Sequence, residues 1–274
     1  MKNILHNIQI WIMLVLTMAS VQSCTDDTPE MSQAEVSFTA TLPADARSRS
    51  FGDAEQVNTL VVGVFDEQKV EIYRQSFTIT GTTVDFQLTL AQSQTYHFVF
   101  WAYDSRQTIY DLTHLDAIRM KVPTTSVTFE QVEASDAFFA TKKNVRVVGN
   151  MEYNIALVRP LAQINVGTIG KVMQASFKAK SIPDIFHPFD NTVQGSTDFI
   201  WSYNETTTET FSVNGQRYNY LAMGYVFAPT TAIEIATELT LTDANVQITE
   251  TVEFTEVEIE ANHRSNIVGN FTAE

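Results

Sequence analysis

Between Val36 and Phe271 the chain repeats apolar and polar residues with a period of two and shows almost no 3.6-residue period of a helix. Val36, Phe38, Ala40 and Leu42 alternate with Ser37, Thr39 and Thr41, and Val84, Phe86, Leu88 and Leu90 with Asp85, Gln87 and Thr89. Successive side chains of a strand point to opposite faces, so each pattern describes a strand with one face in a core. Leu60 to Phe65 and Phe98 to Tyr103 are apolar on both faces, which marks central strands covered on both sides. The grammar recurs in Met151–Leu157, Leu161–Thr168, Ala175–Ala179, Tyr218–Phe227, Ile233–Leu241, Val246–Phe254 and His263–Phe271. An all-β fold follows, and enrichment in Thr, Val, Ile and Phe agrees with it.

Only Asp111–Met120 has helical spacing, with Asp111 or Thr113 as its cap. Ser181 to Thr210 is expected to be rich in loops, because Pro183, Pro188 and Gly195 interrupt it. Many short strands over about 250 residues suit two β-sandwiches, residues 34–157 and 158–274, with the boundary near Ala156–Pro160. Pro160 suits the start of a strand, since proline cannot donate to a ladder. In "VRPLAQINVGT", Ala162, Ile164 and Val166 supply a buried face while Gln163 and Asn165 point the other way. Arg159 is placed to pair with a carboxylate or to cap carbonyls at the seam.

Residues 1–23 carry Lys2, an apolar centre from Ile10 to Leu16, and then small and polar residues, the plan of a secretory signal. The apolar centre is too short to span a bilayer, which takes about 20 residues. Cys24 is the only cysteine, so no internal disulfide is available, and its position directly after the signal points to lipidation. Val21, Gln22, Ser23 and Cys24 resemble a bacterial lipobox, from which Gln22 departs where a small residue is commonest. Residues 24–33 read as an acidic tether, and Thr25, Asp26 and Asp27 resemble the short acidic export tag of Bacteroidetes surface lipoproteins. Cleavage ahead of Cys24 removes one basic residue and leaves 16 basic against 32 acidic, a net charge of −16. That balance argues against a nucleic-acid partner, whose phosphates demand Lys and Arg.

The sequence contains no nucleophile elbow, no HExxH, no phosphate-binding loop and no paired CxxC, so neither enzymatic activity nor a cofactor or metal is expected. The histidines are far apart and read as structural or surface residues. Glu250–Glu260 alternates glutamate with Val, Phe and Ile, a strand with a charged outer face that discourages edge-to-edge aggregation. Trp201 and Tyr203 fall in the loop-rich segment and are candidate platforms for a glycan; the alternative is burial in the core. Arg47 and Arg49 are the only basic residues between Lys2 and Lys69, and they lie in a polar connection, Leu42–Asp53, of the kind proteases cut.

"RPLAQINVGT" closely resembles the signature at the domain junction of Bacteroidetes fimbrillin-like lipoproteins. "SDAFFAT" (Ser135–Thr141), "YNYLAMGYVFAP" (Tyr218–Pro229) and "HRSNIVGNFTAE" (His263–Glu274) resemble further stretches of that family. The combination is most similar to the branch designated DUF6562, related to the FimA- and Mfa-type pilins. The resemblance implies two transthyretin-like β-sandwich domains and a lipid anchor at Cys24 in the outer membrane. It also implies donor-strand exchange with other fimbrial subunits after an arginine-specific protease has removed the first strand. A surface lipoprotein that binds glycan or a host protein without polymerising is the alternative.

Overall fold

The computed structural model describes residues 32–43, 54–243 and 248–271. The signal segment, Cys24, the tether up to residue 31, Arg47 and Arg49 lie outside the described residues. Among those described, no helix is long and apolar enough to cross a membrane.

The first half is a sandwich of two sheets. One has the order β4-β1-β9, built from β1 (Gln33–Thr41), β4 (Thr83–Ala91) and β9 (Met151–Ala156). The other has the order β3-β2-β5-β8, built from β2 (Thr59–Phe65), β3 (Glu71–Thr78), β5 (Thr95–Tyr103) and β8 (Ala137–Arg146). In the second half β10 (Leu161–Thr168), β15 (Thr210–Val213), β16 (Gln216–Phe227) and β19 (Arg264–Gly269) form the sheet β15-β16-β10-β19. Its companion, β14-β11-β17-β18, consists of β11 (Gln174–Ile182), β14 (Thr197–Ser202), β17 (Ile233–Asp243) and β18 (Ile248–Ile259).

The two halves repeat one topology. β1 lies between β4, antiparallel, and β9, parallel. β10 lies in the same way between β16, antiparallel, and β19, parallel. The order β3-β2-β5-β8 likewise maps onto β14-β11-β17-β18, with every pairing antiparallel.

Alternation in the sequence becomes alternation in burial. Val36, Phe38, Ala40 and Leu42 are all buried, as are Phe86, Leu88 and Leu90, and Phe38 and Phe86 stack with ring centroids 5.2 Å apart. β2 and β5 are central and apolar on both faces, because each face meets a different core. Leu60, Val62, Val64, Phe98, Phe100 and Ala102 join the β1 sheet. Val61, Phe65, Val99 and Trp101 join a cluster that includes residues of the second half, with Trp101 6.3 Å from Phe227 as well as 5.2 Å from its own half's Tyr110. One apolar core therefore runs across the seam. The strand read from Glu250–Glu260 is the edge strand β18, with Val257 and Ile259 buried and Glu250, Glu253, Glu256 and Glu258 exposed.

Two local expectations are corrected. Asp111–Met120 is not helical: Asp111 Oδ1 accepts from the Thr113 N–H (3.0 Å) and hydroxyl (2.6 Å), closing a turn between β6 (Tyr110–Asp111) and β7 (Ile118–Met120). The capping residue was legible there, but it caps a turn. The described helix, α1 (Phe129–Glu133), starts at Thr128, whose hydroxyl accepts from the Gln131 N–H while the Gln131 side chain accepts from the Thr128 N–H. The segment expected to be loop-rich carries three strands: β12 (Ile185–His187), β13 (Thr192–Gln194) and β14. β12 and β13 pair with β7 and β6 in a small sheet, β13-β12-β7-β6, made from one insertion in each half.

Candidate functional site

Arg159 follows the short antiparallel bridge between Val158 and Phe139, whose backbone groups exchange hydrogen bonds of 2.8 and 2.9 Å. Its guanidinium grips Asp136 with two parallel bonds, Nε to Oδ1 and Nη2 to Oδ2, both 2.7 Å. It also lies 4.9 Å from the Phe138 ring centroid. Asp136 and Phe138 belong to "SDAFFAT", so two of the quoted stretches meet here. Burial alone would lower the guanidinium's proton affinity, but the adjoining Asp136 carboxylate outweighs it and keeps Arg159 charged. Burial pushes the Asp136 carboxyl upward against the opposing pull of Arg159. Asp136 and Arg159 are 1% and 8% exposed, so water screens the pair little.

Next to the pair, the Tyr225 hydroxyl donates to Glu133 Oε2 at 3.3 Å, and the Tyr110 hydroxyl donates to the Ser135 carbonyl. Burial raises the proton affinity of both phenols far above the ordinary value, so they remain neutral donors. These groups tie α1 to β16 and the loop after α1 to β6. The arrangement can fix the two halves in register, and it contains no nucleophile and base poised on a cavity.

Pro160 accepts with its carbonyl from the Ala228 N–H (3.2 Å), and β10 begins at the next residue. Ala162, Ile164 and Val166 are buried, as expected. Gln163 and Asn165 do lie on the other face of β10, but that face is covered as well: both are 1% exposed. Arg264 Nε donates to Gln163 Oε1 (2.8 Å), Gln163 Nε2 to Asn165 Oδ1 (3.1 Å), and Asn165 Nδ2 to Asn266 Oδ1 (3.0 Å). A row of amides linking the central strand to β19 thus runs through a buried layer. Period-two reading could assign the face of Gln163 and Asn165 but not the partners that cover it.

Trp201 and Tyr203 are not glycan platforms. They are 1% and 2% exposed, and the expectation of exposed rings is corrected. Trp201 sits on β14 between Phe177 and Phe199, 5.8 Å from each. Tyr203 stacks on Phe129 at 4.3 Å, donates to the Met223 carbonyl (2.5 Å) and accepts from the Met223 N–H (3.1 Å). Large rings in an alternating stretch are driven inward by the area they remove from water.

The histidines are not brought together. His97 is buried on β5 and accepts from the Asn144 N–H, while His187 contacts Gln194 and the Asp116 carbonyl. Among the described residues no group of three or more His, Cys, Asp or Glu is placed to hold a metal ion.

The family model DUF6562, described as a family of unknown function, matches residues 27–274, and the chain belongs to that family. No curated protein matches it. Among solved structures, a candidate adhesin from Bacteroides thetaiotaomicron has a similar fold, with TM-score 0.53 and 14% identity over 82% of this chain and 81% of the other. A candidate adhesin from Bacteroides ovatus gives TM-score 0.50 and 14% identity over 85% and 79% of the two chains. A candidate polysaccharide-binding protein (DUF1812) from Bacteroides thetaiotaomicron gives 0.51 and 12% identity over 81% and 80%. These likenesses establish a shared all-β fold.

Proposed function

We propose that the chain is a lipid-anchored surface protein without enzymatic activity, a fimbrial subunit or accessory adhesin that assembles by donor-strand exchange after cleavage at Arg47 or Arg49. The observation that carries this reading is the setting of β1. It is an interior strand bonded on both edges, with Val36, Phe38, Ala40 and Leu42 wholly inside the first sandwich, and it is followed by the segment that holds both arginines. Removing it would open a groove lined by Phe86, Phe98 and Phe100 and by the unpaired edges of β4 and β9. A strand from another subunit can fill such a groove. The solved proteins of similar fold are described as candidate adhesins and a candidate polysaccharide-binding protein, which supports an adhesive role at the cell surface. The two sandwiches, residues 34–157 and 158–274, are on this reading the two domains of the subunit.

Incubation of the purified chain with an arginine-specific protease is expected to give one early cut after Arg47 or Arg49, followed by ladders or filaments. The Arg47→Ala, Arg49→Ala double variant should form neither. A chain that resists the protease, or is cut and stays monomeric, overturns assembly by this route. The anchor is tested separately: Cys24→Ala should release the protein from the outer-membrane fraction or stall its processing. Unchanged fractionation with no acyl group on the mature N-terminus overturns the anchor.

A further inference from the structure

A second feature lies on the sheet β15-β16-β10-β19, far along the sequence from β1 and its loop. A cleft of about 360 Å³ opens over the buried amide row. Arg217, Arg264, Asn165, Asn266, Ser212 and Phe211 line it, and no carboxylate does. In a chain with 32 acidic and 17 basic residues, a cleft lined by arginine and no carboxylate departs from the acidic balance; Arg264 is coupled to the buried Asp136, so Arg217 supplies the accessible positive charge. Arg217 is exposed and forms no ion pair with any described carboxylate.

The amide row sets the polarity of the cleft. A guanidinium can only donate, so Gln163 must present its oxygen to Arg264 and hence its NH2 group to Asn165. Asn165 must then present its own NH2 group to the Asn266 oxygen. The oxygen of each amide is thereby engaged, and the row ends at the lining residue Asn266 with an NH2 group that has no hydrogen-bond partner among the described residues. Two of these amides, on Gln163 and Asn165, are 1% exposed, so the orientation is held by buried groups and is not a surface accident. Phe211 supplies the apolar wall. It packs so closely on β10 that a Cβ at Gly167 would lie 2.5 Å from its ring, and the Tyr220 ring braces it at 4.5 Å.

Donors at one end, an arginine fork and a braced aromatic ring suit a ligand that joins a carboxylate to a compact ring with an apolar face. The volume falls within the range of about 300–1,000 Å³ usual for small-ligand sites. We propose that this cleft binds a carboxylate-bearing sugar, a uronic-acid-type residue, with Arg217 and Asn266 on the carboxylate and Phe211 against the sugar ring. The assignment gives the adhesive side of the proposed function a ligand class and does not depend on strand exchange.

The test is calorimetric titration of the purified mature chain with D-glucuronate, D-glucose and acetate in parallel. Glucuronate is expected to bind at least about tenfold tighter than either of the others, a difference of one decade in Kd. Arg217→Ala and Asn266→Asp should each weaken it by about tenfold or more while leaving the melting temperature unchanged, since both side chains are exposed. Equal binding of acetate would reduce the cleft to a bare oxyanion site, and equal binding of glucose would remove the role of charge. Either result overturns the proposal, as does the absence of saturable glucuronate binding or indifference to Arg217→Ala. Protease-triggered assembly of the same preparation reports on the fimbrial reading independently, so the two can fail separately.

Discussion

Removing the Arg159 guanidinium while keeping its bulk, as in Arg159→Met, leaves Asp136 at 1% exposure with the Ala137 N–H as its remaining donor (3.0 Å). Two charge-assisted bonds of 2.7 Å disappear, each worth about 1.5–3 kcal/mol. The sum agrees with the roughly 3–5 kcal/mol that breaking a buried ion pair costs when one charge is left behind. For a chain of this size that corresponds to a fall in Tm of roughly 6–20 °C, at about 2–4 °C per kcal/mol. The partner change, Asp136→Asn, should also destabilise the fold, because it removes the carboxylate that holds the guanidinium with two bonds of 2.7 Å. The double variant Arg159→Met, Asp136→Leu should recover part of the loss, since neither charge of the pair remains, although the buried Glu133 beside it also loses the neighbouring cation. Thermal unfolding followed by circular dichroism measures all three. A single variant within about 1 kcal/mol of the parent, or a double variant as poor as the sum of the singles, would refute the view that the cost lies in the stranded charge.

Trp201→Ala is expected to lower stability by about 3–5 kcal/mol through the cavity it leaves. Gly224→Ala should cost about 1–3 kcal/mol by overpacking, because the new Cβ would stand 2.8 Å from the rigid Trp201 ring; a neutral Gly224→Ala would mean that the ring is free to shift. Asp104 accepts from Arg106 at 2.8 and 2.9 Å and from Asn58 at 2.6 Å. Burial would raise this carboxyl, yet the bonds from Arg106 and Asn58 outweigh it and hold it below the ordinary value. A depressed carboxylate stabilises the fold above its unfolded pKa of about 4, and that contribution disappears as the pH falls through the folded value. The stability gap between the parent and Asp104→Asn should accordingly be wide at pH 7 and narrow by pH 3; a gap that does not narrow in denaturant titrations contradicts the assignment.

The strands were legible because a half-buried strand writes its burial into every second residue. β1, β4, β9 and β10 lie within a residue of where alternation put them, and β2 and β5 are covered on both faces as their apolar runs require. What failed did so for reasons that can be named. Asp111 has the chemistry of a helix cap and closes a turn, while the capping box at Thr128 and Gln131 precedes too short a run to show helical periodicity. β12 and β13 have three residues each, and β12 pairs with β7 across the seam while β13 pairs with β12, so the sheet that holds them depends on a partner about 65 residues away. The same limit hid the cleft: Asn165 and Asn266 are 101 residues apart in the chain and adjacent only after β19 has paired with β10.

The repeated topology sharpens what sets β1 apart from its counterpart β10. Both are first strands, and both lie between an antiparallel and a parallel neighbour. All eight residues of β10 are buried, so extracting it would uncover an apolar row on one side and strip Gln163 and Asn165 of their hydrogen bonds on the other. β1 buries only its alternate residues, and the opposite row, Gln33, Glu35, Ser37 and Thr39, is exposed or half-buried. At about 1.5–3 kcal/mol for each of Val36, Phe38 and Leu42, that single row contributes roughly 5–9 kcal/mol. A donor strand with apolar residues at the same four alternating positions would restore that contribution, whereas a donor for β10 would also have to reproduce a buried amide row residue by residue. Of the two equivalent places in the fold, β1 is the one whose buried side is a simple apolar pattern, and it is the one followed by Arg47 and Arg49, which is why the proposed exchange is assigned to it.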